Sequence, residues 1–343
     1  MKLKRTAALA MGAALTVGSL SGCSQATLNY ADEYKKVAAW DASEIQMTGK
    51  IAVNSANENK ELTFTSTEYA SGDKAYAKVD FKSDENSGFN IPEIEVYVDN
   101  GTSYINKSYY EHMYSDNGLE VPESIKNIKA DYIAVESPFT GCVDMASMQS
   151  FVNDPEALIN LLKTVFGEDK IDLPYVQNGR EYTMNLDSDQ IVDLGTKAIT
   201  AAAGNLDNIN TEFKLNLKPE DVSLYKSALT SEDFVNSMSK LKDTLKGSTI
   251  STKETFTDDS CTCDFKFNFV INEENTEAAP TKVSIELNSK SAKSEAKDIE
   301  IPTNVAKLSQ EELLAISQSE QKVNTNTSYG KEIINLENTL ANK

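Results

Sequence analysis

The chain has 343 residues, with 53 acidic against 33 basic side chains and a formal net charge of −20 when its single histidine is neutral. A body this acidic, with no basic stripe, repels a polyanion, so nucleic-acid binding is excluded. One histidine, His112, and two arginines, Arg5 and Arg180, leave little for general-base work near neutral pH or for bidentate grip on phosphate. The composition therefore favours a binding protein over an enzyme, with no cofactor.

The N-terminus reads as an address. Lys2, Lys4 and Arg5 precede an uncharged run over residues 6–20. That run is short of the ~20 residues a membrane-spanning helix needs, which makes residues 1–22 a secretory signal that is removed. It ends in Leu20-Ser21-Gly22-Cys23, which resembles the lipobox of bacterial lipoproteins. The resemblance implies that Cys23 takes a diacylglyceryl group and becomes the mature N-terminus, anchored to the extracytoplasmic face of the cell membrane. Removing the signal leaves 53 acidic side chains against 30 basic ones, so no polybasic segment assists the lipid. Residues 23–30 then serve as lipidated cysteine and short polar tether, and 31–320 form one domain.

Within that domain, Tyr34, Val37 and Ala38 fit one face of a helix over 31–40. The period then becomes two. Ile45 to Val53, Ala75 to Phe81 and Ile94 to Val98 alternate as antiparallel strands, and Asp99-Asn100-Gly101 turns the last back as a hairpin. The middle of the chain reads as helical. Asp154-Pro155 opens a helix whose Leu158, Leu161, Leu162 and Val165 face one way before Gly167. Tyr182, Met184 and Leu186 mark a strand, 187–203 a helix, and Phe213, Leu215 and Leu217 another strand. Pro219 starts a helical stretch to Gly247, broken near Thr230-Ser231. Alternation returns from Cys261 to Ile271, with Phe265, Phe267 and Phe269 on one parity, and Val283, Ile285 and Leu287 supply a partner. A strand is expected at 298–301. Ser309 and Glu312 form a capping box before a last helix, and 321–343 is a polar tail.

This order predicts an α+β fold, one large curved antiparallel sheet or half-barrel with helices packed on its apolar face. Such a layout resembles the superfamily of the Lol carriers and the mycobacterial lipid-binding lipoproteins, whose half-barrel holds helices over an acyl-chain cavity. The resemblance implies a lipid or other apolar ligand between sheet and helices but transfers no binding residue; the apolar face of the Asp154 helix, with Leu158, Leu161, Leu162 and Val165, reads as the side turned toward such a ligand.

Few constellations carry other chemistry. Nucleophile-elbow, Walker and zinc-protease motifs are absent, and His112 sits among tyrosines in a loop or edge strand. Asp187-Ser188-Asp189 lacks the spacing of a calcium loop and reads as a helix cap; no metal site is expected. Cys142, Cys261 and Cys263 leave two readings open: buried core residues, or a disulfide of Cys142 with Cys261 or Cys263. Eight tyrosines fall between 69 and 132, and Tyr97, Tyr104, Tyr109 and Tyr110 form the alternative binding surface, for a glycan, a peptide or an envelope protein.

Overall fold

The computed structural model describes residues 24–55, 59–72, 74–83, 91–100, 102–116, 118–136, 165, 173–212, 215, 217–272 and 279–319. Among them twelve strands form one unclosed, curved sheet in the order β12-β6-β5-β4-β3-β2-β1-β11-β10-β9-β8-β7. Every neighbouring pair is antiparallel except β12 with β6. The α+β expectation holds.

The centre is built from four long strands, β1 (Ala42–Asn54), β2 (Asn59–Ser71), β10 (Ser260–Ile271) and β11 (Thr281–Lys293). On one side follow β3 (Lys74–Ser83), β4 (Ile94–Asp99), β5 (Thr102–Asn106), β6 (Tyr132–Glu136) and β12 (Val305–Leu308). On the other lie β9 (Thr249–Phe256), β8 (Glu181–Asp187) and β7 (Val176–Asn178). The β4–β5 hairpin closes through Asn100 at φ 47°, the left-handed conformation that Asn tolerates.

Side chains alternate, so register assigns each to a face. One rung runs Phe267–Ile285–Ile51–Leu62, and the next Phe265–Leu287–Gly49–Phe64–Phe81. This inner face carries the helices at its two ends. At the β8–β9 end, α1 (Gln25–Ala38) buries Tyr30 and Val37 against Tyr182, Met184 and Phe256. The helix α4 (Ser188–Gly204) adds Ile191 and Leu194, and α5 (Leu206–Glu212), α6 (Pro219–Leu229) and α7 (Glu232–Thr244) pack around it. At the β6 end, α2 (Lys107–Asp116), α3 (Glu123–Lys126) and α8 (Gln310–Ser319) close over Ile133 and Val135.

Four expectations change. The tether over 23–30 does not hold, because α1 starts at Gln25: Ser24 caps it, its Oγ accepting the Thr27 amide, and Tyr30 is fully buried. Leu215 and Leu217 are not in a strand; the Asn210 side chain takes the Leu217 amide and donates to its carbonyl, clamping a loop after α5. Residues 298–301 form no strand either. Residues 294–304 cross the strand ends from β11 to β12, held by Lys74 on Asp298 and by Tyr69, whose hydroxyl accepts from Lys297 N and donates to Glu295 O. A span of seven strand spacings, about 34 Å, leaves those residues extended and outside any strand pairing. Finally, His112 lies in α2, its Nδ1–H donating to Ser108 O at 3.0 Å, and not in a loop or edge strand.

Candidate functional site

The middle of the inner face is the first candidate. Phe265, Phe267, Phe269, Ile285, Leu287, Ile51, Phe64 and Phe81 all retain partial exposure, in contrast to Ile133 and Tyr182 at the helix-covered ends, which retain at most 1%. Phe267 and Phe269 stack at 5.7 Å. Gly49 belongs to the same strip because the Phe64 ring lies over it; a Cβ there would come within 2.2 Å of Phe64 Cζ. Bare backbone beneath an aromatic ring is a known way to cover a strand glycine. The strip covers five strands, about 19 Å across.

At its β9 margin stands a buried carboxylate. Glu254 has apolar-face parity and is 3% exposed. Tyr30 O–H donates to Oε1 at 2.5 Å, Tyr34 O–H donates to Oε2, and Thr252 Oγ1 donates to Oε1 at 3.3 Å. Burial pushes the Glu254 carboxyl above the usual carboxylate range, against the pull of those hydrogen bonds. Burial likewise raises both phenols. Tyr30 stacks on Tyr175 at 4.4 Å and meets Tyr182 edge-on at 5.3 Å, so the acid is enclosed by rings. Sequence reasoning missed this group. Its signal was present in Thr249–Phe256, where Ile250, Thr252, Glu254 and Phe256 share a parity and one member is an acid.

Cys261 is buried and Cys263 is directly opposite Glu254 in register. Both are free thiols, and burial pushes the Cys263 thiol up to about 12 and raises that of Cys261. Cys142 lies outside the described residues, as do Cys23, Leu158, Leu161 and Leu162. Val165 is described as helical and partly exposed.

The tyrosines divide. Tyr69, Tyr76, Tyr97 and Tyr104 stand directly opposite one another on β2, β3, β4 and β5, on the outer face. Tyr132 joins them, meeting Tyr97 edge-on at 5.7 Å. Glu95 accepts from Tyr132 at 2.5 Å and from Tyr76 at 3.3 Å. The structure does not bring Tyr109 and Tyr110 to this group: both lie on α2, packed with the inner-face cluster, and Tyr110 is 7% exposed. Burial moves the Tyr110 phenol up to about 12.

No protein-family model and no curated protein matches the chain. Among solved structures, it is similar to the crystal structure of Neisserial surface protein A at 6% identity, covering 74% of this chain and 97% of that chain. The TM-score of 0.19 marks no shared fold. Among the described residues, no helix is long and apolar enough to cross a membrane, and no group of three His, Cys, Asp or Glu side chains is placed to hold a metal ion.

Proposed function

We propose that this chain is a lipid-anchored, extracytoplasmic binding protein that holds a lipid or other apolar ligand against the middle of the inner face. The observation that supports the reading is the apolar strip from Phe265, Phe267 and Phe269 across to Phe81, partly exposed between two helix-covered ends. Its environment suits an acyl chain, which gains about 0.8 kcal/mol for each methylene removed from water. The anchor rests on the lipobox ending at Cys23. A helix beginning two residues later, at Gln25, would hold the body against the bilayer with almost no tether.

Three measurements test the reading. Native mass spectrometry of protein purified from membranes, before and after delipidation and re-exposure to envelope lipid extract, should show a bound lipid beyond the covalent anchor. Thermal stability should rise with the extract, since a ligand that binds only the folded state stabilises it by mass action. Cys23→Ala should release the protein from membranes in fractionated cells labelled with a fatty-acid probe. Retention of that variant would refute the anchor; a protein without bound lipid and without thermal shift would refute the ligand.

A further inference from the structure

The outer face carries a feature unrelated to the apolar strip. A groove of about 260 Å³ lies over β11, β1, β2 and β3, lined by Thr48, Lys50, Thr65, Asp80, Lys82 and Glu286. Its two lysines and two acids balance, so it favours neither a polyanion nor a polycation. What remains is a set of hydroxyls with the Asn288 amide, which together donate and accept. Four residues along the same strands stands the tyrosine ladder: Tyr69 follows Thr65 on β2, and Tyr76 precedes Asp80 on β3, about 13 Å away. Tyr76 and Tyr97 are 4.7 Å apart with rings tilted by 45°. Glu95, between Tyr76 and Tyr132, gives this ridge a carboxylate.

A sugar chain presents hydroxyls that need both donors and acceptors and ring faces of C–H bonds that pack on aromatic side chains. A neutral hydroxyl-lined groove beside a tyrosine ridge answers both needs. We infer that the outer face binds a neutral oligosaccharide several rings long, its hydroxyls in the groove over Thr48, Thr65 and Asp80 and its other end on Tyr76, Tyr97 and Tyr104. This surface is on the opposite side of the sheet from the apolar strip and does not depend on it.

The full-length protein in detergent is run in native gels containing xyloglucan, galactomannan or mixed-linkage β-glucan, and is titrated with chitohexaose. Poly-lysine and poly-glutamate are the charged controls. At least one neutral glycan should retard or bind the protein. Thr65→Arg, which fills the groove from an exposed position, and Tyr97→Ala should each weaken that binding roughly tenfold. Tyr97→Phe should preserve it, and so should Phe267→Asp on the inner face. Because Tyr97→Ala removes a ring from the sheet, Thr65→Arg with an unchanged melting temperature is the deciding variant. Binding of none of the four glycans, binding indifferent to Thr65→Arg, or binding of poly-lysine alone would overturn the inference.

Discussion

Arg180 lays its guanidinium across both carboxylate oxygens of Glu33, 147 residues earlier in the chain, with Nε at 3.0 Å from Oε1 and Nη2 at 2.6 Å from Oε2. The same side chain reaches Asp258 at 2.6 Å and the Thr257 carbonyl at 2.9 Å. It thus joins three pieces: α1, the β7–β8 turn at Gly179, and the β9–β10 turn. Glu33 is 6% exposed, and Arg180, with Lys36 Nζ 3.2 Å from Oε1, gives this buried carboxylate its opposite charge. Arg180→Ala should destabilise the protein by about 1.5–3 kcal/mol, the range for hydrogen bonds to charged groups. Arg180→Lys should recover only part, because an ammonium cannot serve both carboxylate oxygens in the planar fork. Hydrogen exchange over Gln25–Ala38 checks the mechanism: faster exchange there, with β2 and β3 unchanged, is expected, and uniform loosening would contradict it.

Glu254 should impose a pH dependence of defined sign. Its folded carboxyl is raised above the unfolded one, so the native state holds more protons than the unfolded state in the interval between the two. Stability from this group is therefore fully present below the unfolded value, near 4.5, and is lost as pH rises through the raised folded value. Glu254→Gln keeps an acceptor and removes the buried charge, with one phenol reversing its hydrogen bond. It should be more stable than the parent at neutral pH, by a margin that shrinks on acidification. Glu254→Ala strands the Tyr30 and Tyr34 hydroxyls and should cost about 1–3 kcal/mol at every pH. Urea midpoints of the three proteins at several pH values decide; a constant gap between parent and Gln variant would remove Glu254 as the source.

Strands whose inner parity is uniformly apolar were legible from sequence. Cys261 to Ile271 and Ile45 to Val53 declare themselves because every second residue is apolar, Gly49 being the one without a side chain. Strand β2 was not legible, since its inner parity contains Ser66 and Glu68 beside Leu62 and Phe64. Strand β6 was hidden by brevity, five residues within a region of helical composition. The tyrosine ladder could be read only in part: the Asp99-Asn100-Gly101 hairpin puts Tyr97 beside Tyr104, but Tyr69 and Tyr76 join them only through the registers of two further pairings. Periodicity assigns a face to each residue; it does not say which residue lies opposite.

Gly49 and Phe64 should behave as a coupled pair. A Cβ at Gly49 would fall 2.2 Å from two Phe64 ring atoms and 2.9 Å from Leu287 Cδ2, so the ring must move aside. Overpacking of this kind costs about 1–3 kcal/mol, offset by the roughly 0.5–1 kcal/mol that alanine gains over glycine within a strand. Gly49→Ala should therefore lose about 1–2 kcal/mol net. On a Phe64→Ala background, the same substitution meets only the Leu287 Cδ2 methyl, the end of a flexible side chain at 2.9 Å, and should be close to neutral. A double-mutant cycle by denaturant unfolding gives the coupling directly; additive effects would mean that the ring does not lie over the glycine.

Phe267 separates the ligand site from the core. Sequence parity alone expects Phe267→Asp to be severely destabilising, because it treats the phenylalanine as fully buried. In the structure Phe267 is partly exposed at the centre of the apolar strip, while Lys266 on the outer face is exposed and lies 3.7 Å from Glu286. An aspartate at 267 can keep part of its hydration, so the expected loss is about 1–2 kcal/mol, within the ordinary range for single substitutions. Ile133→Asp, at a position with no exposure, is the buried control and should unfold the β6 end. Lys266→Asp should cost little stability. The functional consequence runs the other way: Phe267→Asp puts a charge where an acyl chain would lie and should abolish both copurifying lipid and the thermal shift with lipid extract, whereas Lys266→Asp should leave both intact. Melting temperatures and native mass spectra of the three variants make the comparison. A Phe267→Asp protein that melts near the parent and still carries lipid would show that the ligand does not use this strip.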